Sequence, residues 1–170
     1  MELLACSGAR TFGAVVRGVS LSGRGAQRQT PLREAAAQLR AALLSSKLLV
    51  FAPECTRSST DGGTLTEDEM VEFFRVFDIP LPQEGRENSR GQREEIFKVT
   101  NIHDVSAEAA PTSPFLTDAE LEFHSDLSYR LEPGIFSALY ALKLPDGRTG
   151  STTIFSDTAA ACVLECLSTS

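Results

Sequence analysis

The chain has 170 residues, 42% apolar and 23% charged, which suffices for one domain with a core of ordinary composition. Its net charge is −7 with no block of basic residues, which argues against a nucleic-acid surface and against an anionic membrane as partner. No apolar run approaches the roughly 20 residues of a membrane span, and the opening Met1-Glu2-Leu3-Leu4-Ala5-Cys6 lacks the pattern of a secretory signal, so a cytoplasmic protein is expected.

Phe12 to Val19 reads as a short strand, apolar at Ala14, Val15, Val16 and Val19 and punctuated by Gly13 and Gly18. A polar Gly/Ser/Arg loop follows to Gln29. Thr30 is then placed as an N-cap with Pro31 at the first helical position. Leu32, Ala36, Leu39 and Leu43 share one helix face, predicting a helix from about Pro31 to Ser45. Leu48 to Ala52 is a continuous apolar run closed by Pro53, a strand expected to be buried on both faces. Thr66-Glu67-Asp68-Glu69 is a capping box that opens a helix with Met70, Phe73, Phe74 and Phe77 as its apolar stripe. That stripe is read as core.

Leu81 to Arg93 reads as a polar surface loop, Glu95 to Thr100 as a strand, and Asn101 to Glu120 as a long connection with Pro111 and Pro114. Glu122 to Tyr129 reads as a strand. Pro133-Gly134 separates it from an apolar strand at Ile135 to Leu144, the turn Pro145 to Gly150 leads into a short strand at Ser151 to Phe155, and Asp157 to Leu167 is helical. The early strands and helices, followed by late strands joined by Pro/Gly turns, suggest antiparallel β-structure with helices packed outside.

Within Glu122 to Tyr129, His124 and Asp126 stand two residues apart. In a strand they share a face while Ser125 points away. One nitrogen and one oxygen ligand on a common face make two-thirds of the 2-His-1-carboxylate arrangement that seats non-haem Fe(II) in oxygenases. A lone His-x-Asp is also common by chance, so the flanking residues have to carry the case. The chain has only two histidines, His103 and His124, and His103 reads as a loop residue. The four cysteines, Cys6, Cys55, Cys162 and Cys166, lack disulfide-framework spacing, which suits a reducing compartment. Cys162 and Cys166 stand at i, i+4 of the last helix, but buried thiols are the commoner explanation of such a pair than a metal site.

Phe123-His124-Ser125-Asp126-Leu127-Ser128-Tyr129-Arg130 resembles the iron motif of the taurine dioxygenase (TauD/TfdA-like) family of Fe(II)/2-oxoglutarate-dependent dioxygenases. Thr149 to Phe155 is similar to that family's Gly-Gly-Asp-Thr-Leu-Phe/Trp segment, and Phe12 to Val19 is similar to its opening strand. The helix at Pro31, the strand at Leu48 and the helix at Thr66 keep the family order. The resemblance implies an α+β fold, a double-stranded β-helix (jelly roll) of the TauD/clavaminate synthase-like type with N-terminal helices outside the sheet. The N-terminal part would span residues 1–100, and the start of the jelly-roll core residues 121–170. It implies His124 and Asp126 as metal ligands, Thr153 as the hydroxyl that holds the 2-oxoglutarate carboxylate, Fe(II) and O₂ as further requirements, and a small organic acid as the substrate to be hydroxylated.

Two departures qualify that pattern. Gly-Gly-Asp-Thr is here Gly150-Ser151-Thr152-Thr153, and no histidine follows His124 to serve as third ligand. Arg130 and Arg148 are the only arginines after Asp126, and neither occupies the position of the family's 2-oxoglutarate-binding arginine. The expectation is therefore a single incomplete domain over residues 1–170, impaired as a catalyst and in need of its missing C-terminal half or an oligomeric partner. The alternative is a degenerate, non-catalytic member that acts as a binding or interaction module.

Overall fold

The structure, a computed structural model, describes residues 1–5, 12–22, 30–57, 63–78, 80, 82, 92–99, 121–142 and 152–162. The connection at 101–120 with His103, the turn at 145–150, the end of the last helix with Cys166, and nearly all of the loop at 81–93 lie outside these residues. The chain forms two compact units, residues 1–65 with 140–170, and residues 66–139.

The first unit is built on a three-stranded sheet of order β1-β2-β5, where β1 is Glu2–Ala5, β2 is Ala14–Arg17 and β5 is Leu49–Phe51. β1 runs antiparallel to β2, with Leu3 opposite Val16. β5 runs parallel to β2, with Val15 opposite Val50. Two parallel neighbours need a crossover, and it is supplied by helix α1, Leu32–Ser46. A second parallel pair joins β3, Val19–Ser20, to β4, Thr30–Pro31. Gly18 turns the chain between β2 and β3 at φ +70, a conformation that favours a residue without a Cβ.

The strand read at Phe12 to Val19 and the helix read at Pro31 to Ser45 both form, with shifted ends. β1 was not anticipated. Thr30 is not the cap of α1. Its N–H donates to the Gly18 carbonyl at 3.0 Å and its hydroxyl accepts from the Met1 amino group at 3.3 Å, so Thr30 is committed to the strand pair and Pro31 takes the cap position without a side-chain bond. The buried face of α1 is Leu32, Ala35, Leu39 and Ala42; small alanines there let the helix lie close to the strands. The helix ends on Lys47 at φ 63, whose N–H donates to the Leu43 carbonyl at 2.7 Å, a left-handed termination more usual for glycine. β5 is covered on one face only, since Val50 is 46% exposed, which corrects the reading of a strand buried on both faces: at the sheet edge, nothing described covers the other side.

A 3₁₀ turn, Pro53–Cys55, follows β5 and buries Cys55 against the Val16 carbonyl. Val16, Val19, Leu39 and Cys55 are the most deeply buried side chains of this unit. Burial pushes the Cys55 thiol up from its ordinary value. Farther on, the Tyr140 hydroxyl accepts from the Leu65 N–H at 2.9 Å and donates to the Thr56 carbonyl at 3.2 Å. It thereby holds together the two ends of a loop whose flanks also meet at an Arg57–Thr64 bridge.

The second unit starts with helix α2, Glu67–Phe74. Its capping box forms as read: the Glu69 N–H donates to the Thr66 hydroxyl at 3.2 Å, and the Thr66 N–H donates to the Glu69 carboxylate at 2.8 Å. Val71 and Phe73 are buried, and Phe73 meets both Phe74 and Phe77 edge to face.

The late strands read at Glu122 to Tyr129, Ile135 to Leu144 and Ser151 to Phe155 are not strands in their described residues. Of the strand read at Glu95 to Thr100, only a single bridging residue, Phe97, is present. An extended segment becomes a strand only where a neighbour takes up its N–H and C=O groups, and residues 121–142 and 152–157 form a turn at 126–129 and otherwise irregular chain. The described residues thus hold small sheets and few helices rather than a complete double-stranded β-helix. The last helix begins at residue 158, where the Ala160 N–H donates to the Asp157 carboxylate at 3.0 Å. No described helix is long and apolar enough to cross a membrane.

Candidate metal centre

The first turn of α2 carries Glu67, Asp68 and Glu69, where negative charge is favoured by the helix dipole. Cations from the stretch 92–99 bind this end. The Arg93 N–H donates to Glu67 at 2.8 Å, its guanidinium reaches Asp68 at 2.9 Å and Glu95 at 3.0 Å, and Lys98 pairs with Glu67 at 3.1 Å. Burial alone would raise the Glu67 carboxyl, but the Arg93 backbone and the Lys98 ammonium outweigh it and hold it below its usual value. Hydrogen bonding from the Arg93 guanidinium does the same for Glu95.

Phe136 is tied to this helix region through an edge-to-face contact with Phe77 at 5.9 Å. The segment that leads to it contains the His-x-Asp pair. Residues 126–129 form a turn closed by the Arg130 N–H donating to the Leu127 carbonyl at 3.0 Å, and Leu127 has φ 55. The pair is therefore not brought together by strand alternation. His124 Nε2 lies 3.6 Å from Asp126 Oδ1. The opposite ring nitrogen, Nδ1, lies 2.8 Å from the Glu122 carbonyl oxygen.

That second contact decides what the first can do. A carbonyl oxygen only accepts, so Nδ1 must carry the hydrogen and donate. In the neutral ring Nε2 then bears its lone pair toward a carboxylate oxygen. A proton on Nε2 or a metal ion shared by the two atoms would each satisfy the pair. A metal ion bound to both would have its ligand atoms about 3 Å apart for cis positions with bonds near 2.1 Å, so a small closure of the pair suffices. An imidazole whose other nitrogen is held by a backbone carbonyl is the usual form of a metal-ligating histidine. His124 and Asp126 fit an iron ion as two of its ligands. Both are about half exposed, at 47% and 54%, and no group of three or more His, Cys, Asp or Glu able to hold a metal occurs among the described residues.

Thr153 lies in the first unit, exposed, in the irregular stretch 152–157. The same stretch ends on Asp157, which pairs with Lys47 at 2.6 Å; the hydrogen bond from Lys47 keeps its carboxyl below the ordinary value. A cleft of about 210 Å³ is lined by Phe12, Lys47, Leu48 and residues 155–159, and Thr153 does not line it. Cys162 is exposed and unbridged. Two parts of the metal pair's setting escaped the sequence reading: the Glu122 carbonyl, because a main-chain group leaves no residue signature, and the left-handed turn at Leu127, because leucine does not announce one.

A search of the curated proteins finds no match to the chain, and neither does a search of the solved structures. A family model described as "Taurine catabolism dioxygenase TauD, TfdA family" matches residues 10–163. That span runs from the approach to β2, through α1, α2 and the His124–Asp126 turn, to the last helix. Members of this family are generally oxygenases that use Fe(II), 2-oxoglutarate and O₂. The chain belongs to the TauD, TfdA dioxygenase family.

Proposed function

We propose that this chain carries the iron-binding pair of an Fe(II)- and 2-oxoglutarate-dependent dioxygenase that hydroxylates a small organic acid. The observation that carries the reading is the paired geometry of His124 and Asp126: Nε2 faces Oδ1 at 3.6 Å while Nδ1 is held by the Glu122 carbonyl at 2.8 Å. Iron with 2-oxoglutarate, when bound, supplies oxidative decarboxylation coupled to hydroxylation of the substrate. The roles of the chain's own groups are separate from that chemistry. The Glu122 carbonyl fixes the imidazole tautomer, so that Nε2 offers its lone pair. The Asp126 carboxylate offers the anionic oxygen and offsets part of the metal's charge. The Thr153 hydroxyl donates to a carboxylate oxygen of 2-oxoglutarate. In this reading residues 121–170 form the start of a jelly-roll core, and residues 1–100 pack helices outside it.

The departure of Gly150-Ser151-Thr152-Thr153 from the family's Gly-Gly-Asp-Thr segment favours a second reading, in which the chain binds without catalysing. Anaerobic titration of the protein with Fe(II) and 2-oxoglutarate separates the two. The dioxygenase reading expects a metal-to-ligand charge-transfer absorption that disappears in His124→Ala and weakens in Thr153→Val. Absence of any such band, or a band indifferent to His124, removes the dioxygenase reading and leaves the binding module.

A further inference from the structure

We propose that the cleft of the first unit binds a small monocarboxylate with an apolar body: Lys47 takes the carboxylate, and Phe12, Leu48 and Phe155 cover the apolar part. The cleft uses neither His124 nor Asp126, so its ligand binds whether or not the iron reading holds.

Main-chain hydrogen bonds build the cleft. Directly after Phe12, the Gly13 N–H donates to the Ser46 carbonyl at 2.7 Å, and the Ala14 N–H donates to the Leu48 carbonyl at 2.9 Å. These bonds hold Phe12 beside the end of α1 and the start of β5. Residues 155–159 complete the lining, and the Lys47 ammonium reaches the Asp157 carboxylate at 2.6 Å. The enclosed 210 Å³ is roughly seven times the ~30 Å³ share of a water in the liquid, room for about seven to ten non-hydrogen atoms. Phe12 and Leu48 are half-buried and Phe155 is exposed, so an apolar body lying there takes surface of all three from water.

Charge selects the head group. Both Asp157 oxygens are engaged, Oδ2 by Lys47 Nζ and Oδ1 by the Ala160 N–H at 3.0 Å. An ammonium has three N–H donors, and among the described residues the Lys47 ammonium donates to Asp157 alone. What the ion pair leaves over is donor capacity on an exposed cation, which suits an anionic acceptor. Asp157 already offsets one unit of charge, so a singly charged carboxylate is favoured over a phosphate carrying close to two.

The test titrates the whole metal-free chain with hexanoate, hexanol and acetate, and follows the backbone amides by ¹⁵N–¹H NMR. Hexanoate should shift the amides of Lys47, Leu48 and residues 155–159 saturably. It should bind at least about tenfold more tightly than hexanol, which lacks the charge, or acetate, which lacks the apolar body. Lys47→Gln should lose the advantage of hexanoate over hexanol. Asp157→Asn keeps a helix-capping side chain and removes the competing carboxylate, so it should strengthen hexanoate binding about threefold or more. The proposal is overturned if those amides do not move, if hexanoate binds no more tightly than hexanol, if K47Q keeps the advantage, or if D157N weakens binding. Should either variant fail to fold, the comparison of hexanoate with hexanol in the wild type decides.

Discussion

The β1-β2-β5 sheet with α1 and the segment 121–142 treat apolar side chains in opposite ways. In the first, Val16, Val19 and Leu39 are wholly enclosed. In the second, Phe123 is 73% exposed, Ile135 73%, and Leu131 fully so. The first region is covered by neighbours close in sequence: β2, α1 and β5 all fall within residues 14–51, and a helix laid on adjacent strands buries both. The second has turns at 126–129 and no helix of its own, so its apolar residues depend on pairing with distant chain. Pairing of that kind bears a larger closure cost before it returns any stability. The proposed ligands His124 and Asp126 sit in the less enclosed region, and loops and turns commonly hold function.

Substitutions sharpen this contrast. Leu39→Ala empties a fully buried site and should cost about 3 kcal/mol in urea unfolding, whereas Leu131→Ala should stay within about 0.5 kcal/mol. Equal effects would break the comparison. Thr66→Ala removes the cap of α2 and should cost about 1 kcal/mol by the same measurement.

The carboxylates respond to acid with a sign that follows from their shifts. Glu67, Glu95 and Asp157 all lie below their ordinary values in the folded chain. Their contribution is complete above the unfolded carboxylate range near about pH 4 and is lost as pH falls through the lower folded values. The melting temperature should therefore be level from neutral to mildly acid pH and decline below that range. Arg93→Ala should make the decline slightly shallower, because Glu95 loses its cation while Glu67 keeps Lys98 and the main-chain N–H at position 93. A small effect is expected at Lys47. Lys47→Gly relieves the left-handed helix end but surrenders the pair with Asp157, so a slight net gain in stability is expected in urea unfolding.

What could be read from the sequence divides along the same line. α1 and α2 were legible because periodicity and the Thr66–Glu69 box are local signals; of the face read for α1, Leu32 and Leu39 are buried, while Ala35 and Ala42 take the places expected of Ala36 and Leu43. The cap at Thr30 failed because a residue far along the chain, Met1, competes for its hydroxyl. β1 carries too little alternation in Glu2–Ala5 to stand out. The late strand at Ile135 to Leu144 was read from an apolar run and the one at Ser151 to Phe155 from β-branched residues, but neither signal says which partner takes the hydrogen bonds. For His124 and Asp126, the residue types and spacing were legible. The turn that follows at 126–129 was not, since a leucine does not announce the left-handed conformation that Leu127 adopts.

The chain has two tyrosines and no tryptophan. Tyr129 is 75% exposed, whereas the Tyr140 hydroxyl is bonded on both sides between Leu65 and Thr56. Apart from the weak emission of ten phenylalanines, intrinsic ultraviolet fluorescence of these 170 residues therefore arises from these two rings. Tyr129→Phe leaves Tyr140 as the sole tyrosine emitter, a built-in optical reporter of whether the ends of the loop, at residues 56 and 65, stay fastened together.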